Sequence, residues 1–191
     1  MFILNKLLKQ LNLMISHFKN FVKFILARIN YILGNQMIPN IYDHTNIETT
    51  SRCNLKCKFC AYEKRDLNMY PIETMNINLF KDVVQQSIDI GYKKIGLTPT
   101  TGDIFMDKSI FEKLSYLDSL ENYEGYFLYT NFIPIKIDQI EKLFELKKLI
   151  NFGISIYGHD LDTFIKFSGG TNNAYNKLIE NLKYLKKFLD K

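Results

Sequence analysis

At 191 residues, 47% hydrophobic and 24% charged, the chain has a globular balance and room for one ordinary domain or slightly more. Its three cysteines cannot all pair with one another and no cleavable signal pattern precedes them, which argues against a secreted disulfide scaffold and for a reducing compartment. Every window of eighteen residues carries a charge or several polar groups, which excludes an ordinary membrane span and leaves soluble or surface-bound forms.

The net charge of +5 is unevenly placed: Lys6, Lys9, Lys19, Lys23 and Arg28 precede the first acidic residue, Asp43. The remaining 20 basic residues face 20 acidic ones, so the body of the chain is electrically balanced and has no nucleic-acid signature. In the basic segment, apolar residues recur at helical spacing from Ile3 to Leu33, with lysines, asparagines and His17 on the polar side and Gly34 placed to end the helix. Two readings stand: a helix lying on an anionic membrane surface, where each cation is worth about 1 kcal/mol, or a helix packed against the following domain. Residues 1–42 are thus a basic amphipathic helix with its linker, and 43–191 the body.

From residue 44 the pattern changes to short β-type runs alternating with helical ones, which favours βα units and a parallel sheet. Strands are expected over 44–50, 94–98, 125–130 and 150–156. Helices are expected over 76–90, 108–120, 138–148 and 172–189, with Asn76 as a cap and Gly91 as a terminator. Parallel α/β folds build their sites from the loops after the strand C-termini. The unusual residues of this chain fall there: the cysteines after the first strand, Pro99 to Asp103 after the second, Asn131 after the third, and Tyr157 to Asp160 after the fourth.

All cysteines lie in one short window, Cys53, Cys57 and Cys60, spaced C-x₃-C-x₂-C. Thiolates this close can wrap one metal centre, and three of them on a 4Fe-4S cubane leave one iron free for another ligand. Set in "CNLxCxxC" right after a first strand, these residues resemble the radical S-adenosylmethionine (radical SAM) enzymes. The resemblance implies a 4Fe-4S cluster held by Cys53, Cys57 and Cys60, with S-adenosylmethionine chelated at the open iron and cleaved reductively to a 5′-deoxyadenosyl radical. It also implies an electron donor such as a flavodoxin or ferredoxin.

Further positions resemble the family's cofactor contacts. Phe59 stands where the family has an aromatic residue near the adenine, a place that simple loop packing also explains. Thr101-Gly102-Asp103 resembles the Gly-Gly-Glu motif that holds the methionyl amino group, with Thr for the first Gly and a shorter acid; a strand-ending turn is the alternative. Ser155 is similar to the family's polar residue on the fourth strand, and Lys166 stands nearest to the arginine that often follows it. Asn131, with Thr130, is a weaker candidate. His159 is a loop histidine, and His44 could complete a Cys₃His zinc site, the rival chemistry.

The implied fold is α/β: an incomplete (partial) TIM-type barrel of about four parallel βα units, preceded by a long amphipathic helix. The family's core has six units, and at about 30 residues per unit the 148 residues from His44 onward fall short of that. The expectation is that another polypeptide completes the sheet or that the frame is truncated. The functional expectation is a cytoplasmic radical SAM protein of unknown substrate, peripheral to the membrane if the basic helix binds lipid. The alternatives are a truncated non-catalytic remnant or cluster-binding partner subunit, and a zinc-stabilised interaction module.

Overall fold

The computed structural model describes residues 2–34, 44–121 and 123–190, and within the first helix the side chains from residue 14 onward apart from 27 and 30. That helix, α1 (Phe2–Ile32), is followed by Gly34 in the left-handed region (φ +69°), whose N–H donates to the Tyr31 carbonyl at 3.1 Å. Within α1, every described side chain from Met14 on is exposed. The linker expected before residue 43 lies outside the described residues.

The body alternates strand and helix: β1 (His44–Asn46), α2 (Ile77–Ile90), β2 (Lys94–Gly96), α3 (Ile110–Ser119), β3 (Gly125–Thr130), α4 (Ile137–Glu145) and β4 (Leu149–Ile154), then α5 (Leu161–Ser168) and α6 (Asn172–Leu189). The strands form one parallel sheet in the order β1-β2-β3-β4, with Thr45, Ile95 and Tyr126 in register. Successive strands lie side by side because each crossover carries a helix back to the start of the next. In α2, the Asn76 side chain accepts from Leu79 N–H at 2.9 Å, Gly91 closes the helix at φ +108°, and Phe80, Val84 and Ser87 form the buried face.

The helices cover one face of this sheet. Along β3, Tyr126, Leu128 and Thr130 are buried while Phe127 and Tyr129 are not, and in β2 Ile95 packs inward beside Leu97. The buried set meets Phe80 and Val84 of α2, Leu114 and Leu117 of α3, and Ile140 and Leu143 of α4 in one core. The other face, bearing His44, Phe127 and Tyr129, is left more open.

Two departures from the expected elements matter. The strand expected over 44–50 is shorter because residues 49–51 turn aside to pair antiparallel with 73–75: Met75 N–H donates to Thr49 O at 2.8 Å and Ser51 N–H to Glu73 O at 2.9 Å. Helix α5 was unexpected; its eight residues are too short for periodicity to reveal. Its caps are nevertheless in the sequence: Asp160 accepts from Thr163 N–H at 2.8 Å, and Gly169 ends it at φ +64°.

A buried ion pair braces the end of the fold that carries the site. Lys113 of α3 reaches Asp107, both side chains wholly buried, and also donates to the Met75 carbonyl before α2, while Asp107 accepts from Ser109 N–H at 2.9 Å. Removing one partner of such a pair leaves an uncompensated buried charge and costs about 3–5 kcal/mol, whereas an apolar pair of similar volume is close to neutral. Asp107→Ala is therefore expected to lose about 3–5 kcal/mol in urea unfolding, and Asp107→Leu with Lys113→Met much less. Equal losses in both variants would show that the pair is not what braces this corner.

Candidate functional site

The cysteine loop leaves β1 and is held from two sides. On one side its backbone docks on the end of α5: Lys56 N–H donates to Ser168 O and Lys58 N–H to Phe167 O, both at 3.0 Å. Gly169 makes this approach possible, since a Cβ there would stand 2.7 Å from the Lys56 carbonyl oxygen. On the other side Asn54 and Asn131 exchange side-chain hydrogen bonds, Asn131 Nδ2 to Asn54 Oδ1 at 2.8 Å and the reverse at 3.4 Å. Leu55, between Asn54 and Lys56, is buried in the core. Within the loop, Cys60 N–H closes a turn on the Cys57 carbonyl at 3.0 Å, and the Tyr62 N–H donates to Cys60 Sγ at 3.4 Å.

The loop after β2 is pressed against it. Gly102 is required there, since a Cβ would lie 2.2 Å from the Thr50 carbonyl oxygen. Asp103 N–H then donates to Arg52 O at 2.7 Å, next to Cys53. The Asp103 carboxylate is buried and accepts from Thr130 Oγ1 at 2.9 Å, Asn131 N–H at 2.7 Å and Phe105 N–H at 3.0 Å. Burial pushes its carboxyl above the usual range, and these hydrogen bonds pull against the shift.

These loops surround a cavity of about 310 Å³. Cys53, Cys57 and Cys60 line it, as do Phe59, Thr101, Gly102, Asp103, Thr130, Asn131 and Ser155, so the chain's expected site residues converge on one space. Phe59 is largely exposed and leans on Tyr157, ring centroids 5.0 Å apart. The Thr98 hydroxyl, two residues past β2, is buried in this wall without a hydrogen-bond partner, a group that a bound ligand or water would satisfy.

Two expected candidates, Lys166 and His44, lie elsewhere, and the loop histidine His159 is at the surface. Lys166 is exposed on α5, its ammonium 5.6 Å from the Phe167 ring. His159 lies 3.2 Å from Asp160. His44 sits at the start of β1, its ring against Phe127 at 5.1 Å, away from the cysteine cavity. Among the described residues no group of three His, Cys, Asp or Glu side chains is drawn together to hold a single ion, so the Cys₃His zinc arrangement has no support. A cubane makes a different demand, since each thiolate binds a separate iron and the sulfurs need not meet at one point.

Other residues at the site went unread in the sequence. Asn54, beside the first cysteine, pairs with Asn131 as described. Glu48, at the C-terminal side of β1, accepts from Thr100 N–H at 3.1 Å and from the Thr101 hydroxyl at 3.3 Å. Arg65 donates to that same hydroxyl at 3.3 Å and to Ser51 O at 3.3 Å. The threonine where the resemblance calls for glycine thus links an acid and a base that line the neighbouring cavity, on the other side of the Thr100-Thr101 turn. Tyr157, which the sequence places in the loop after the fourth strand, forms part of the cavity wall with Phe59. No local motif marks Glu48 or Arg65, because their partners lie 53 and 36 residues away in the chain.

A family model described as the radical SAM superfamily matches residues 47–190. The chain belongs to this superfamily. Among curated proteins it is similar to the antilisterial bacteriocin subtilosin biosynthesis protein AlbA of Bacillus subtilis (strain 168), 28% identical over 126 residues, which are 66% of this chain and 27% of AlbA. The chain therefore spans about a quarter of that relative's length. Among solved structures it resembles anSMEcpe with bound AdoMet (TM-score 0.58, 20% identity, 76% of this chain and 41% of that one). It also resembles BtrN in complex with AdoMet and 2-DOIA (TM-score 0.52, 16% identity, 71% and 55%). At these identities the structural likeness is one of fold, a partial TIM-type barrel.

Radical SAM proteins bind a 4Fe-4S cluster and S-adenosylmethionine, and the donor set here fits both. Three thiols open onto one cavity, and polar groups, one of them unpartnered, line it as well. Burial raises the Cys53 thiol and pushes Cys57 up to about 11, with the neighbouring cysteines adding to the shift. Such thiols ionise reluctantly by themselves, and bound iron reverses the balance by stabilising the thiolates. In the cluster-free protein, Cys57 is therefore expected to react with iodoacetamide more slowly than free cysteine at neutral pH. Its rate should climb until pH nears about 11. A plateau already reached near the ordinary thiol range, with the modified residue located by peptide mass, would contradict this environment.

Proposed function

We propose that this chain is a radical SAM protein in which Cys53, Cys57 and Cys60 each hold one iron of a 4Fe-4S cluster and the wall opposite them holds S-adenosylmethionine. When bound, the cluster supplies one electron to the cofactor's sulfonium, releasing methionine and a 5′-deoxyadenosyl radical that takes a hydrogen atom from substrate. The observation that carries this reading is the convergence of all three thiols with Thr101, Gly102, Asp103, Asn131 and Ser155 on one cavity.

The chain's own residues divide the work. Asn54, Asn131 and the end of α5 hold the cysteine loop in place. Phe59 and Tyr157 offer an aromatic surface for the adenine, and the Thr98 and Ser155 hydroxyls offer polar contacts for the ribose or methionyl part. Asp103 supports the site chiefly by tying β2 to β3, because three protein donors already face its carboxylate. Glu48, half-buried and lining the neighbouring cavity instead, fixes the Thr100-Thr101 turn from behind by accepting from both residues. Substrate would approach from the open face of the sheet, past Phe127 and Tyr129.

Anaerobic reconstitution with iron and sulfide, followed by dithionite and S-adenosylmethionine, tests the reading. The expected outcome is a brown protein that forms 5′-deoxyadenosine and methionine. A cluster without that product would favour a non-catalytic, cluster-binding chain instead. Cys57→Ala should abolish the cluster, and Asn131→Ala should lower its yield while leaving the fold intact by circular dichroism. A stable 4Fe-4S cluster in Cys57→Ala would refute the ligand assignment.

A further inference from the structure

Helix α1 is unused by the site, and its surface is unlike that of the body. It runs for 31 residues, about 46 Å. Met14, Phe18, Phe21, Ile25, Ile29 and Ile32 follow helical spacing along one side, and each is exposed, Phe18 at 68% and Ile32 at 74%. Lys19 and Lys23 lie on the opposite side, and no acidic residue occurs before Asp43. An amphipathic helix covered by its own body would have these apolar groups buried; here they are bare. No described helix is long and apolar enough to cross a bilayer.

We propose that α1 is an interfacial anchor that lies in the plane of an anionic membrane surface, with its apolar stripe in the acyl boundary and its lysines among the lipid phosphates. Charge decides this occupant over a second copy of the chain. Pairing two such helices would bring together ten cations with no acid within the segment to meet them, whereas anionic headgroups supply the missing counter-charge. Lys19 and Lys23 have stems long enough to keep their ammonium groups in the headgroups while the stripe is immersed. Tyr31, off the stripe and 81% exposed, places an amphipathic ring at the same level. The site then stands at the membrane surface, and the anchor is independent of what chemistry the site performs.

The chain contains no tryptophan, so Phe21→Trp gives a single reporter on the stripe. The full-length variant is mixed with vesicles of phosphatidylcholine alone and of phosphatidylcholine with phosphatidylglycerol. Sedimentation with the anionic vesicles and a blue shift of the emission are expected, with little of either on the neutral ones. Salt at about 1 M, where the Debye length falls to about 3 Å, should release most of the protein. Lys19→Gln with Lys23→Gln should lower the partition coefficient about thirtyfold, and Phe18→Glu with Ile25→Glu should abolish the blue shift. All of these positions are exposed, so the urea midpoint of the body should not move. Failure to sediment with anionic vesicles at low salt would overturn the proposal, as would equal binding to both lipids. So would a blue shift that needs only higher protein concentration and accompanies a dimer in sedimentation equilibrium.

Discussion

The site rests on one buried carboxylate. Asp103 takes three hydrogen bonds, from the hydroxyl of Thr130 and the backbone of Asn131 and Phe105, while its own N–H reaches back to Arg52. A carboxylate taken out of water without such partners would cost several kcal/mol, so the arrangement holds only when all of these donors are in place. Satisfying one side chain thereby brings together the ends of three strands: the cysteine loop after β1, the loop that follows β2, and the last residues of β3. Asn131, set by this contact, in turn grips Asn54 beside the first cysteine.

The cysteine loop has few hydrophobic contacts of its own, with Leu55 as its one fully buried anchor. Its shape is imposed from outside, by Asn131 on one side and the carbonyls ending α5 on the other. Glycines enter where backbones must touch: Gly102 against Thr50 and Gly169 against Lys56. A loop held this way keeps three thiols facing one cavity before any iron arrives. Preorganisation of that kind favours assembly of a cluster with one open coordination position.

Much of the site was legible because its chemistry is local. Three cysteines within eight residues, the Thr-Gly-Asp turn and a Ser at a strand end can be read from adjacent letters, and all of them reach the cavity. Long-range pairs were not legible. Glu48, Thr101 and Arg65 meet across the chain, Asn54 meets Asn131 at a separation of 77 residues, and no periodicity predicts either meeting. Helix α5 escaped for a different reason: its caps were visible, but one short amphipathic stretch resembles a loop until it is seen supporting the cysteines. The same element turns Lys166, expected nearest to the family's arginine, to solvent.

By itself the sequence determined the order of elements, the caps of α2, the amphipathic character of α1, and the thiol spacing that suits a cubane better than a single ion. These depend on neighbours a few residues apart, where backbone geometry leaves little choice. Tertiary structure decided which polar groups are already satisfied and which are left for a ligand. It leaves the Thr98 hydroxyl unpartnered and saturates Asp103. It also decided that the stripe of α1 stays uncovered. Burial and hydrogen bonding are properties of surfaces that meet only after folding, and no reading of adjacent residues contains them.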